Sequence, residues 1–251
     1  MDNLIRLHYL QALGIDVWIP RVVPVGDLHT DASFAEEPDS MAAHEEGEMA
    51  ADGASPVPLV QDELPSVDSW ETLQAEVAAC TRCGLCETRT QTVFGTGNKR
   101  ADWMVIGEAP GQHEDQQGLP FVGNAGLLLT EMLRAIGLNR EDVFITNILK
   151  CRPPNNRDPK PEEAESCHGF LQRQFALIQP KIILAIGRIS AQTLLKTDAP
   201  LSRLRGKPHA FNNTPVIVVY HPAYLLRSPT EKRKAWQDLQ LAVLTHKHNK
   251  G

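Results

Sequence analysis

Four short apolar runs punctuate the chain: Asp102 to Ile106, Asp142 to Ile148, Lys181 to Ile186 and Pro215 to Tyr220. They are strand-length and rich in β-branched residues, which predicts buried β-strands. Helical spacing fills the stretches around them, at Ala125 to Ile136, Pro161 to Ile178, Ile189 to Leu195 and Glu231 to Thr245. Pro161 followed by Glu162 and Glu163 suits a helix start, where proline needs no donor and acids meet the positive end of the dipole. Alternating β and α units predict an α/β fold, a mostly parallel sheet with helices on both faces. A polar motif closes each run: GEAPG (Gly107 to Gly111), TNILKC (Thr146 to Cys151), Gly187-Arg188 and HPAYLLR (His221 to Arg227). Ligands of open α/β sheets bind beyond the carboxyl ends of parallel strands. Glu108, Asn147 and His221 are therefore expected at one crevice although they are far apart in sequence.

The first part of the chain reads differently. Leu4, Leu7, Leu10 and Leu13 recur at helical spacing, ahead of Val17, Trp18 and Ile19, so residues 1–25 are taken as a short amphipathic peptide. Residues 26–69 are rich in Ala, Glu, Asp, Ser and Pro, a composition that buries too little surface to offset chain entropy and predicts a disordered acidic linker. Order is expected to resume at Trp70, giving a domain over 70–251. The overall net charge of −6 hides this division. Residues 1–79 carry 2 basic and 16 acidic side chains, and residues 80–251 carry 23 and 15, so a net of −14 precedes a body of +8. A basic body with an acidic arm suits a polyanion-binding domain. No apolar run reaches the roughly 18 residues that span a bilayer, and no secretory leader is visible, so the expected location is cytoplasmic.

Thiols stay reduced in that compartment, so clustered cysteines point to metal or redox chemistry. Cys80 and Cys83 stand on one CxxC turn, while Cys151 and Cys167 are 16 residues apart across a Pro-rich loop. If the first pair packs beside that loop, four thiolates surround one site. Cys83-x2-Cys86 also resembles the opening of a ferredoxin run, but position 90 is Thr90. Spacing alone leaves zinc and iron–sulfur equally open.

CTRCGLC, GEAPG, GLPFVG (Gly118 to Gly123), TNILKCRPPNNRDP and HPAYLLR, in this order, resemble the family 4 uracil-DNA glycosylases, the iron–sulfur members of the uracil glycosylase superfamily. The resemblance covers about residues 72–245. It implies a three-layer uracil-DNA glycosylase-like fold around a central four-stranded sheet, and a 4Fe-4S cluster on Cys80, Cys83, Cys151 and Cys167, with Cys86 spare. It implies a monofunctional enzyme that flips uracil out of DNA and hydrolyses its N-glycosidic bond, starting base-excision repair. The stretch Arg152 to Pro161 holds no His and no insertion, unlike a related branch that bonds covalently to its product.

The residues suit that chemistry. Phe121 matches the platform on which the family stacks uracil. Asn147 carries donors and an acceptor in one plane, so it can pair with uracil O4 and N3–H and reject cytosine. His221 matches a histidine that stabilises charge building on uracil O2, and neutral imidazole suffices as the donor. Glu108, in a rigid turn bounded by Gly107 and Pro110, fits either activation of the attacking water or stabilisation of a cationic sugar. Gly107 and Ala109 complete the substrate-binding set, and Asn156 matches a position linked to catalysis. Arg152, Arg157 and Arg227 are the leading phosphate contacts, with Arg82, Arg89, Lys150, Arg205 and Lys207 as further candidates. Leu225 or Leu226 is expected to wedge into the gap left by the flipped base. The run Leu10 to Arg21 resembles the N-terminal peptide of the psi subunit of the bacterial DNA polymerase III clamp loader, which implies the chi subunit as a partner; packing on its own domain is the other reading. The rival to an enzyme is a non-catalytic, replisome-associated DNA-binding module on the same fold.

Overall fold

The computed structural model describes residues 69–249. The peptide at 1–25 and all but the last residue of the linker at 26–69 lie outside the described residues. Order begins at helix α1 (Trp70–Ala78), where the Ser69 hydroxyl accepts the Thr72 amide at 3.1 Å. That bond satisfies one of the donors every helix start leaves unpaired.

The four predicted strands are present as β2 (Trp103–Gly107), β3 (Val143–Asn147), β4 (Ile182–Ile186) and β6 (Thr214–Val219). The expectation of a four-stranded sheet is corrected to six. Two short strands, β1 (Thr96–Gly97) and β5 (His209–Phe211), add to the edges in the order β1-β3-β2-β4-β6-β5. The inner four are mutually parallel and both edge strands are antiparallel. At two and three residues, the edge strands are too short to show a hydrophobic period. Asn212 and Asn213, both at positive φ (47° and 64°), form the two-residue turn between β5 and β6, the left-handed pair favoured in tight hairpins.

Side chains alternate across the pleat, so the inner strands feed two cores. Trp103 and Val105 face α3 (Asn124–Ala135), α7 (Pro222–Arg227) and α8 (Lys232–His248), through Leu129, Leu133, Leu225 and Leu239. Met104 and Ile106 face α1, α4 (Pro161–Ile178) and α5 (Arg188–Leu195), through Leu73, Phe170, Leu171 and Leu194. This is the predicted three-layer arrangement. The start of α4 is as read, with Pro161 at its first turn and Glu163 accepting the Lys160 amide at 2.9 Å. Two short helices, α2 (Gln112–Gln117) and α6 (Leu201–Leu204), and the six-residue α7 carry no periodicity long enough to read.

Arg205 is not available as a surface phosphate contact. Its Nε donates to the buried Asp238 carboxylate at 2.6 Å, and its guanidinium lies 4.1 Å from the Tyr220 ring. The pair ties α8 to the end of β6. No helix of the described residues is long and apolar enough to cross a membrane.

Candidate active site and cysteine cluster

Register brings the strand ends together. Gly107 pairs with Asn147 across β2 and β3, and Ile186 with Val219 across β4 and β6. Beyond these ends opens a cavity of about 700 Å³, walled by Glu108, Ala109, Phe121, Asn147, Asn156, Arg157, Arg188, His221 and Arg227, among others. Residues read from four separate motifs thus share one wall.

Asn147 is 2 % exposed, and its Oδ1 is buried with no hydrogen-bond partner. A buried acceptor without a donor costs on the order of 1–3 kcal/mol. Gly107 makes room for it: a Cβ there would lie 2.3 Å from Asn147 Oδ1 and 2.6 Å from Phe121 Cζ. Phe121 lies 5.8 Å from the His221 ring, at 30°. It sits at φ 54°, a left-handed conformation that strains a bulky residue. Two contacts hold it there. Glu114 accepts the Val122 and Gly123 amides at 2.9 and 3.2 Å. Gly126 lets the turn pass beneath α3, since a Cβ there would sit 1.8 Å from the Phe121 carbonyl oxygen. Gly126→Ala is therefore expected to destabilise the fold by about 1–3 kcal/mol, the usual range for overpacking. Chemical denaturation checks it, and an unchanged midpoint would show that the turn yields freely.

His221 caps α7. Its Nδ1 accepts the Ala223 amide at 3.1 Å. A nitrogen that accepts carries no proton, so in neutral imidazole the hydrogen is on Nε2, which is left as the donor. Burial, with Arg227 adding to it and Glu114 opposing, pushes His221 down to about 4. Glu108 moves the other way. Burial, with Asp158 adding to it and Arg188 opposing, raises it to about 7. Arg188 in turn donates to Asp158 at 2.6 Å.

The loop after Cys151 brings in Asn156 and Arg157. Asn155 and Asn156 both adopt positive φ (55° and 53°). Asn156 Oδ1 accepts Arg152 Nε at 2.7 Å, and Arg157 grips Glu163 through two bonds of 2.9 and 2.6 Å. Three DNA-contact expectations need correction here. Leu225 is 1 % exposed in the core under α3, which leaves Leu226 as the exposed leucine of the pair. Lys150 is equally buried. Burial pushes its amine down to about 7, against the pull of Cys167 and Cys151. Arg89 turns inward and donates to Cys151 Sγ at 3.1 Å.

Cys151 and Cys167 are buried in a small apolar cluster with Leu85 and Leu149, against which Cys83 packs. Cys83, Cys151 and Cys167 thus share one locality, and Cys80 lies near enough to act on the Cys167 thiol. Cys86 also acts on Arg89 from nearby. Burial pushes the Cys151 thiol up to about 11, with Arg89 opposing, and raises Cys167 as well. Metal binding would deprotonate such thiols, since a metal's charge offsets the cost of burying the thiolates. Among the described residues, no three His, Cys, Asp or Glu side chains are gathered as a single ion would gather them.

Glu114 and Gly126 are the functional neighbours that the sequence reading did not single out, while Arg188 was read only as the turn that closes the third run. Glu114 lies on the six-residue α2, and Gly126 is defined by what it passes under, so neither carries a local signal.

A family model described as the uracil DNA glycosylase superfamily matches residues 94–240. A type-4 uracil-DNA glycosylase of Archaeoglobus fulgidus is 44% identical over 182 residues, covering 69% of this chain and 92% of the relative. One from Thermotoga maritima is 42% identical over 176 residues, covering 68% and 92%. A type-5 uracil-DNA glycosylase of Thermus thermophilus is 31% identical over 118 residues, covering 41% and 53%. With that family model over more than half of the chain and 42–44% identity over most of the length of type-4 relatives, the chain belongs to the uracil-DNA glycosylase superfamily, in its type-4 branch.

Proposed function

We infer that the protein excises uracil from DNA by hydrolysing its N-glycosidic bond. The observation that carries this is the buried, unpartnered Asn147 Oδ1, held beside the Phe121 ring at the cavity wall. Uracil presents an N3–H donor next to a carbonyl acceptor, the complement of a planar amide. Cytosine presents an acceptor at N3, which would leave Oδ1 unpaired. The target base must first leave the stack, at a cost of a few kcal/mol that is smallest for mispaired bases. Phe121 then stacks it, and Nε2 of His221 donates to the anion that develops on O2. No Lys is among the described residues that wall the cavity, which supports hydrolysis without a Schiff base. Arg152, Arg157, Arg227 and Leu226 serve the duplex.

Both roles open to Glu108 need its ionised form. With its carboxyl pushed up to about 7 in the free protein, kcat/KM is expected to rise with pH through about 7 and level off above 8. Glu108→Gln should flatten that limb. A limb of unchanged position in the variant would assign it to another group.

For the cysteines, Cys83 packing against the buried Cys151 and Cys167 supports a shared site, and the resemblance of CTRCGLC and TNILKC implies a 4Fe-4S cluster there on Cys80, Cys83, Cys151 and Cys167. These four would hold it. Bound there, it would tie the Asn147–Cys151 segment to the turn after α1 and to α4. Residues 1–25 are proposed to bind a partner, the chi subunit being the one implied, through a tether at 26–69, and the enzyme to work in the cytoplasm. A pull-down with residues 1–25 deleted tests the former.

Purified full-length protein should be incubated with an oligonucleotide containing one uracil, then with alkali. Strand breakage at that position, absent from cytosine and thymine controls, is the expected result. Intact strands after treatment with folded, cluster-loaded protein would overturn the enzyme in favour of a binding module.

A further inference from the structure

Lys150 has a place in the molecule that neither DNA binding nor the chemistry above uses. It is 1 % exposed, and its Nζ donates to three acceptors: Thr146 Oγ1 at 2.6 Å, the Asn147 carbonyl at 2.8 Å and Gln174 Oε1 at 2.7 Å. In its protonated form the amine has three hydrogens, one for each of these acceptors. The acceptors are themselves anchored. Thr146 Oγ1 and Gln174 Nε2 both donate to the Phe94 carbonyl, at 3.0 and 2.8 Å. Gln174 and Cys167 stand seven residues apart on α4 and so share a face of that helix. Lys150 therefore bonds the residue that ends β3 to the helix carrying one cysteine, and is itself bonded in chain to another, Cys151.

A buried lysine is an expensive way to fill space, and an apolar side chain of the same length would pack there without three polar partners. What an apolar residue cannot do is hold the Asn147 carbonyl. That carbonyl belongs to the residue whose side-chain Oδ1 waits unpaired at the cavity, in a pocket so close that Gly107 must lack a Cβ. We propose that Lys150 is a positioning residue for base recognition: it locks the main chain of Asn147, through Thr146 and Gln174, so that the side-chain amide keeps its register with the flipped base. The proposal rests on the reading of Asn147 as the uracil reader.

The test is Lys150→Met in the full chain, which keeps length and removes the donors. Steady-state constants on a uracil-containing duplex are compared with affinity for the same duplex carrying an abasic site, and iron content and thermal unfolding are recorded alongside. The expected result is a loss of at least about tenfold in kcat/KM on uracil, the scale of one hydrogen bond to a charged group. Abasic-site affinity should stay within about twofold, since phosphate contacts dominate it. Uracil turnover within about twofold of wild type in a folded, iron-loaded variant would overturn the proposal. So would an equal loss on uracil and abasic DNA, which marks a general structural defect. If Lys150→Met does not accumulate as folded protein, Gln174→Leu decides by the same comparison. It removes one acceptor and leaves the lysine in place, and the same selective loss, smaller in size, is expected. Equal loss on both ligands, or none, again overturns the proposal. Wild-type protein inactive on uracil would instead sink the underlying reading, and the role of Lys150 with it.

Discussion

Asn147→Ala is expected to leave the fold intact and to lower uracil excision about a hundredfold or more, the discrimination that a built hydrogen-bonding site gives against a missing partner. The protein carries an unmet acceptor in the free state, since Asn147 Oδ1 is buried without a donor. Uracil N3–H repays that desolvation on binding, so the interaction is worth more than an ordinary surface hydrogen bond. Removing the amide removes the unmet group as well, so the variant should be no less stable than the wild type, and it becomes slightly more stable if the small void collapses. This opposite movement of stability and activity separates a reader from a structural asparagine that ties down its loop. The measurement is a pair: excision kinetics on a single-uracil duplex, and thermal unfolding. Loss of activity together with a large loss of stability would assign Asn147 a structural role.

His221→Ala is expected to cost about 10²–10³ in the rate constant at saturating DNA, as removal of one preorganised donor to a developing anion does elsewhere. The tautomer makes this specific. With Nδ1 occupied by the Ala223 amide, neutral imidazole has one donor to offer, on Nε2. Burial and Arg227 push the residue down to about 4. The sign follows: below about 4 the ring is cationic, and above it the ring is neutral and unchanged through the working range. The wild-type pH profile should therefore show no limb from His221 between about pH 5 and 8, while the limb assigned to Glu108 remains. His221→Gln, which keeps a side-chain N–H, should recover part of the loss. A histidine limb near pH 6.5 that vanishes in His221→Ala would show that the cationic form does the work instead.

Much of this arrangement is legible in the amino-acid order because its causes are local. The inner strands announce themselves through continuous apolar runs, as strands covered on both faces must, and the motifs at their ends inherit their positions from the sheet. What escaped the reading depends on distance. Whether Leu225 or Leu226 faces outward is settled by how α7 lies on α3, and a six-residue helix carries no period to reveal it. Lys150 looks like surface by residue type. Only the fold shows that Gln174, far along the chain on α4, supplies it with a buried acceptor. Phe121 was legible through its motif, but its strained backbone was not, since the cause is a glycine five residues on.

The sheet also has a consequence for how this protein lives beside others of its kind. Its inner strands are apolar throughout, the composition that most readily zips into the strands of a neighbouring molecule when a rim is left bare. Here the rims are two residues on one side and three on the other. At the first, Gly95 just before the strand and Gly97 at its end both turn the backbone through positive φ. An incoming strand finds a foothold of two or three residues before the chain bends away, too little to nucleate a growing ladder. The small outer strands act as selvedge on a fabric, keeping a sticky centre from fraying into its neighbours.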